Sequence, residues 1–303
     1  MSFTATDFAA LCAHGPVSEQ IGTIEERRRK ALSRFWMVIG GGLTAAAVLA
    51  WLIGTGINPV AGVMTFVGLG IILFIVGMLP LGKAGTAIKH PTLHALAAQG
   101  GMSYTPDGFE PPAFEQARKP LFGSWLSSAT FTDLFYGTGP DGKRFAFYEA
   151  TLTQGHGKHR TTVFTGQVYA FERSRSQAAE YVAVPDKGLF NFFKPAGGFQ
   201  RVRIEGDEAF EKKFEVYGVD EPSARMAFAG SIEARRLLLE LRERGKVFLF
   251  VGPDDVLAAV AGRDRYEPGS MFSSKTGEER VRLMFDDVCG ALETVKRLKS
   301  VFG

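Results

Sequence analysis

The chain has 303 residues, room for one ordinary domain plus a membrane module. Its hydrophobic content of 46% is ordinary for a soluble protein, yet from Phe35 to Gly82 there is no Asp, Glu, Lys or Arg. The net charge is +3, and residues 82–303 are nearly balanced in sign, which excludes the electrostatic footprint of a nucleic-acid binder. Two cysteines, Cys12 and Cys289, exclude a disulfide framework and a close-spaced zinc pattern. Reduced thiols are expected of them.

Residues 1–34 read as a helical segment. Thr6 or Asp7 supplies a cap, Phe8, Leu11 and Cys12 share a face, and Gly15-Pro16 breaks the first helix. A second helix runs from Ser18 into the first apolar stretch and carries Arg27, Arg28, Arg29, Lys30 and Arg34 at its end.

Residues 35–81 read as a two-span transmembrane hairpin. Phe35 to Ile53 is long enough to cross a hydrocarbon core of about 30 Å, and Val60 to Leu81 has similar reach. The uncharged turn Gly54 to Pro59 is short enough to join only antiparallel neighbours. Trp36 and Trp51 sit near opposite ends of the first span, where indoles favour the interface. A cleaved signal is not expected, because 34 residues precede the apolar run and a second span follows. The basic cluster before span one, and Lys83 and Lys89 after span two, place both termini in the cytoplasm. Gly42, Ala46, Ala50 and Gly54 form a small-residue stripe, read as packing against span two, with dimerisation as the alternative. No ionisable residue lies inside either span, so the usual mark of an ion path is missing.

Residues 92–303 read as a cytoplasmic α+β domain with a mostly antiparallel sheet and late amphipathic helices. Thr92 is expected to cap a short helix through Gln99, followed by a proline-rich stretch from Pro106 to Pro120. Phe131 to Tyr136, Arg144 to Leu152 and Thr161 to Phe171 alternate as strands of a meander, separated by turn residues. Ala178 to Pro185 and Phe199 to Glu205 predict two more strands around a loop at 188–198. A short helix is expected from Gly206 to Phe214, and a stronger one from Ser231 to Arg244 with Ala234, Leu237, Leu238 and Leu241 inward. A strand hairpin, 246–251 with 256–261, and a helix from about Gly277 to Phe302 complete the chain.

Candidate sites are few. Gly137 to Lys143 matches seven positions of a phosphate-binding loop, but Arg144 replaces the hydroxyl residue and a strand follows instead of a helix. His156 and His159 share a basic glycine-flanked tip with no third ligand beside them, and headgroup contact is the minority alternative there. Asp254-Asp255 reads as a turn and Asp286-Asp287 as a helix face. We therefore assign no catalytic, cofactor or metal residue and expect no cofactor. Val281, Val288, Val295 and Phe302, with Met284, Ala291 and Leu298, make a heptad seam over 277–302 that fits packing on the sheet or, as the alternative, pairing with a partner.

A basic N-terminal helix, a two-span hairpin and a β-rich domain are joined by a distinctive stretch, Phe210 to Asp220 followed by Ala224-Arg225, and by Tyr266-Glu267-Pro268 after a helix and a strand hairpin. In these features the chain resembles a bacterial membrane-protein family, domain of unknown function 3137. One departure is Phe228-Ala229-Gly230, where the family often has Leu-Thr-Pro. The resemblance implies an inner-membrane location and no particular activity. On this reading the protein is an interaction or scaffold protein tethered to the bilayer. A lipid- or small-ligand-binding sensor is the alternative, and an enzyme with a dispersed site is the third reading.

Overall fold

The structure, a computed structural model, describes residues 8–9, 12–13, 16–123, 126–174, 180–186 and 198–303. The expected cap at Thr6 or Asp7, the break at Gly15, the strand start at Ala178 and most of the 188–198 loop lie outside them. The fold is α+β: two long apolar helices, then an antiparallel sheet with late helices. It divides into two compact units.

The first unit holds Thr4–Leu96 together with Tyr266–Asp286. Helix α1 runs Pro16–Gly56 and helix α2 runs Pro59–Gln99. Both are long and apolar enough to cross a membrane. Between them the turn is only Ile57-Asn58. Pro59 stands at the first helical position, and the Val60 N–H donates to Asn58 Oδ1 at 2.8 Å, the capping expected of Asn. The small-residue stripe faces α2. A Cβ on Gly62 would stand 2.6 Å from the Ala50 carbonyl oxygen and 2.9 Å from Gly54 Cα, so the two backbones meet where only glycine fits.

The separate short helix expected from Thr92 does not form, and α2 continues through Pro80 and Pro91. Proline lacks the N–H that would satisfy the carbonyl four residues back. For Pro91 that carbonyl belongs to Ala87, and Arg27 of α1 donates to it at 2.6 Å. Thr92 is buried and donates from its hydroxyl to Ile88 O at 2.7 Å instead of capping a new helix. The sequence signal was a true helix breaker, offset by a long-range donor.

The second unit holds Ala97–Arg265 and Asp287–Gly303. Its sheet comprises β1 Ser103–Thr105, β2 Leu126–Thr138, β3 Arg144–Gln154, β4 Thr161–Glu172, β5 Tyr181–Pro185, β6 Gln200–Val202, β7 Phe214–Gly218, β8 Val247–Val251 and β9 Asp255–Ala261. Among the described residues the order is β1-β2-β3-β4-β9-β8-β5-β7-β6, antiparallel throughout. Period-two alternation gives the sheet two buried faces. On one, Ala146, Tyr148, Ala150 and Leu152 of β3 pack with Val168, Leu257 and helix α3, Phe114–Phe122. On the other, Phe147 stacks on Phe135 at 4.9 Å, while Phe228 meets Tyr181 at 5.5 Å and Phe302 at 6.3 Å.

The remaining helices are α4 Glu208–Glu211, α5 Glu221–Ala229, α6 Ile232–Arg244 and α7 Gly277–Phe302. The expected helix to Phe214 is therefore one turn long, and β7 takes over at Phe214. Glu215 hid that strand. It is buried, paired with Arg201 at 3.1 Å and receives the Tyr217 hydroxyl at 3.0 Å. Helix α5 was also unexpected, although its signals are plain: Asp220 accepts from Ser223 N at 3.0 Å and Pro222 sits in the first turn. Every member of the heptad seam on α7, from Val281 to Phe302, is buried within this chain.

Candidate functional site

The β2–β3 hairpin separates two cavities of the sheet domain. Its turn is built by local chemistry: Gly139 N–H donates to Lys143 O at 2.8 Å, Gly142 takes a φ of 75°, and Asp141 Oδ1 accepts from Lys143 N at 3.2 Å. The phosphate-loop lookalike is thus a hairpin between two strands, with no helix N-terminus to offer amides to a phosphate. Lys143→Ala should leave ATP and GTP binding unchanged at background in equilibrium dialysis, and micromolar binding lost on that substitution would contradict the assignment.

The larger cavity, about 840 Å³, opens over the ends of β2, β3, β4 and β9. Ala146 and Ala170 give it a small-residue floor, Pro111 and Pro112 wall one side, and Tyr136 projects half-exposed beside them. Its lining holds a charge pair, Arg144 with Glu172. The Arg144 guanidinium donates to Glu172 through Nε at 2.5 Å, and the Arg144 backbone N–H donates to the same carboxylate at 2.9 Å. These hydrogen bonds from the Arg144 guanidinium and backbone hold the Glu172 carboxyl below its usual range. Asp255 lies opposite Glu172 in the β4–β9 register. Burial, then the charges of Glu172 and Asp254, push its carboxyl up, against the opposing pull of Arg144.

The smaller cavity, about 330 Å³, lies between the hairpin turn and the last turns of α7. Phe145, Leu292 and Val295 make it mostly apolar, and Lys296, Lys299 and Ser300 rim it. Lys299 donates to Asp141 at 2.8 Å, a hydrogen bond that draws the Asp141 carboxyl below its usual range.

The structure does not bring the other sequence candidates to these cavities. His156 and His159 lie at an exposed single-turn 3₁₀ segment between β3 and β4, where Arg160 holds Thr153 Oγ1 at 3.0 Å and Ser128 Oγ at 2.9 Å. Asp254 belongs to the β8–β9 turn, where its carbonyl accepts from Arg173 N at 2.7 Å. Asp287 pairs with Arg265 at 3.3 Å. Neither cavity was foreseen, because each is assembled from turns and strand ends far apart in the chain.

Tyr266-Glu267-Pro268 has a structural role within the helical unit. Glu267 pairs with Lys89 of α2 at 2.5 Å, and Tyr266 is buried. Fully buried Arg280 grips the loop beyond: Nη1 donates to Pro268 O at 2.9 Å, Gly269 O at 3.3 Å and Ser270 O at 3.0 Å, and Nη2 donates to Ser273 O at 3.0 Å. Arg28 of α1 donates through Nε to Met271 O at 2.9 Å.

Comparison with curated proteins found no match. Among solved structures, the crystal structure of the mycobacterial trehalose monomycolate transport factor A, TtfA, is similar to this chain with a TM-score of 0.36 and 13% identity, over 67% of this chain and 94% of that one. Residues 162–300 match the family model described as "Protein of unknown function (DUF3137)".

Proposed function

We propose that the protein is a membrane-anchored interaction, or scaffold, protein of the bacterial inner membrane, with both termini and the sheet domain on the cytoplasmic side. What supports the anchor is a concentration of exposed large apolar side chains between Trp36 and Leu79, a surface that calls for lipid. The basic flanks and the uncharged turn support the orientation. The observation that carries the scaffold reading is the larger cleft. It is open, and the basic residue in its lining, Arg144, is already committed to Glu172. That is a recognition surface in character, since a reactive centre directs available groups at one point.

A photo-crosslinking residue at Tyr136 in the full-length chain tests this. Discrete protein adducts in membranes, lost when Arg144→Glu breaks the pair, are expected. Adducts with small molecules alone would overturn the scaffold reading.

The smaller cavity favours a second reading, a sensor for a small apolar ligand, because Phe145, Leu292 and Val295 give it a mostly apolar surface. Native mass spectrometry of the detergent-purified chain would then show a co-purifying small molecule that Ser300→Trp displaces. A chain free of any such mass contradicts it.

A further inference from the structure

The segment that follows the Tyr-Glu-Pro motif is held rigidly yet turns an aromatic ring outward. Arg280 fixes the carbonyls of residues 268–270 and 273, Arg28 fixes that of Met271, and Lys89 fixes Glu267. On this pinned backbone Met271 is buried, whereas Phe272 is 48% exposed. The Phe272 ring stands edge-on to Phe35 with centroids 5.1 Å apart. Phe35 is the first residue of the charge-free run, and its neighbours Trp36 and Met37 are 62% and 71% exposed. Phe272 is thus joined to the start of the first span through the buried Phe35 ring, which also meets the exposed Trp36 edge-on at 5.1 Å. Two exposed cations flank this contact: Arg34, one residue before Phe35, and Lys275, three residues after Phe272.

We propose that residues 266–276 form an interfacial foot. In it Phe272 enters the boundary between headgroups and acyl chains, and Arg34 and Lys275 lie among anionic headgroups. Aromatic rings partition to that layer, and a basic residue near an anionic surface is attracted to it. The occupant is a lipid surface because the loop's exposed ring packs on the first residue of the lipid-facing run and exposed cations lie beside it. The inference rests on the membrane-anchored reading.

The test uses the full-length chain with Cys12→Ser and Cys289→Ser, carrying Phe272→Cys or Gly68→Cys labelled with an environment-sensitive fluorophore. Gly68 is exposed in the middle of the second apolar run, with open space around it. Each protein is reconstituted in vesicles of phosphatidylcholine and phosphatidylglycerol, with or without a headgroup nitroxide quencher. Thermal melts in detergent verify that the labelled chains fold like the parent. The expected result is blue-shifted emission at both positions, with the headgroup nitroxide quenching the label at 272 more strongly than that at 68. Water-like, unquenched emission at 272 beside shielded emission at 68 overturns the foot and leaves the anchor standing. Water-like emission at both overturns the anchor, and the foot with it.

Discussion

Val288→Asp should destabilise the protein by about 3 kcal/mol or more, the range expected when a charge is buried without a partner. Val288 is 1% exposed, in the middle of a helix whose inward residues Val281, Met284, Ala291, Val295 and Leu298 are all buried. No rotamer returns a carboxylate at that position to water without turning the helix or opening the face it covers. A thermal melt of the full chain in mild detergent, followed by its sedimentation behaviour, checks this. A lowered melting temperature with unchanged mass is the expected outcome. An unchanged melting temperature with a dimer converted to monomer would make the seam an association surface instead. Two residues along, Gly290→Ala should act in the opposite direction. Glycine within a helix costs about 1 kcal/mol relative to alanine, and a Cβ there meets nothing within 4 Å.

Arg280→Met should cost a similar amount, about 3 kcal/mol, by a different route. Methionine fills much of the same volume but leaves the carbonyls of Pro268, Gly269, Ser270 and Ser273 without the guanidinium that satisfies them. Hydrogen bonds from a charged donor are worth about 1.5–3 kcal/mol each, and a fixed planar fork serves several acceptors at once. Arg280→Lys keeps the charge but not the fork, so it should recover only part of the loss. Limited trypsin digestion reads the local effect, as faster cleavage after exposed Lys275 in the methionine variant than in the lysine variant. Equal cleavage rates in parent and variants would show that the loop is held by its other contacts.

Much of the fold is written in local patterns. The charge-free runs gave the long helices, Asn58-Pro59 marks their turn, and Pro140-Asp141-Gly142 marks a hairpin. Thr276 with Glu279 opens the last helix as a capping box, with contacts of 2.6 and 3.2 Å. What escaped the sequence reading depends on partners distant in the chain. Pro91 reads as a stop until Arg27 reaches Ala87 from another helix. Glu215 argues against a buried strand until Arg201 lies beside it. Tyr266–Asp286, nearly two hundred residues after the apolar hairpin, groups with it through Lys89, Arg28 and Phe35, and no local periodicity encodes that. The cavities were invisible for the same reason: turn 138–141 and the end of α7 meet only in three dimensions.

Cysteine accessibility distinguishes an anchored hairpin with the folded mass inside the cell from the inverted arrangement. In cells expressing the full chain with Cys12→Ser and Gly56→Cys, a membrane-impermeant maleimide added outside should label the turn between the two long helices. Cys289, in the last helix, should react only after the membrane is opened. Labelling of Cys289 in intact cells, with the turn protected, would contradict the account.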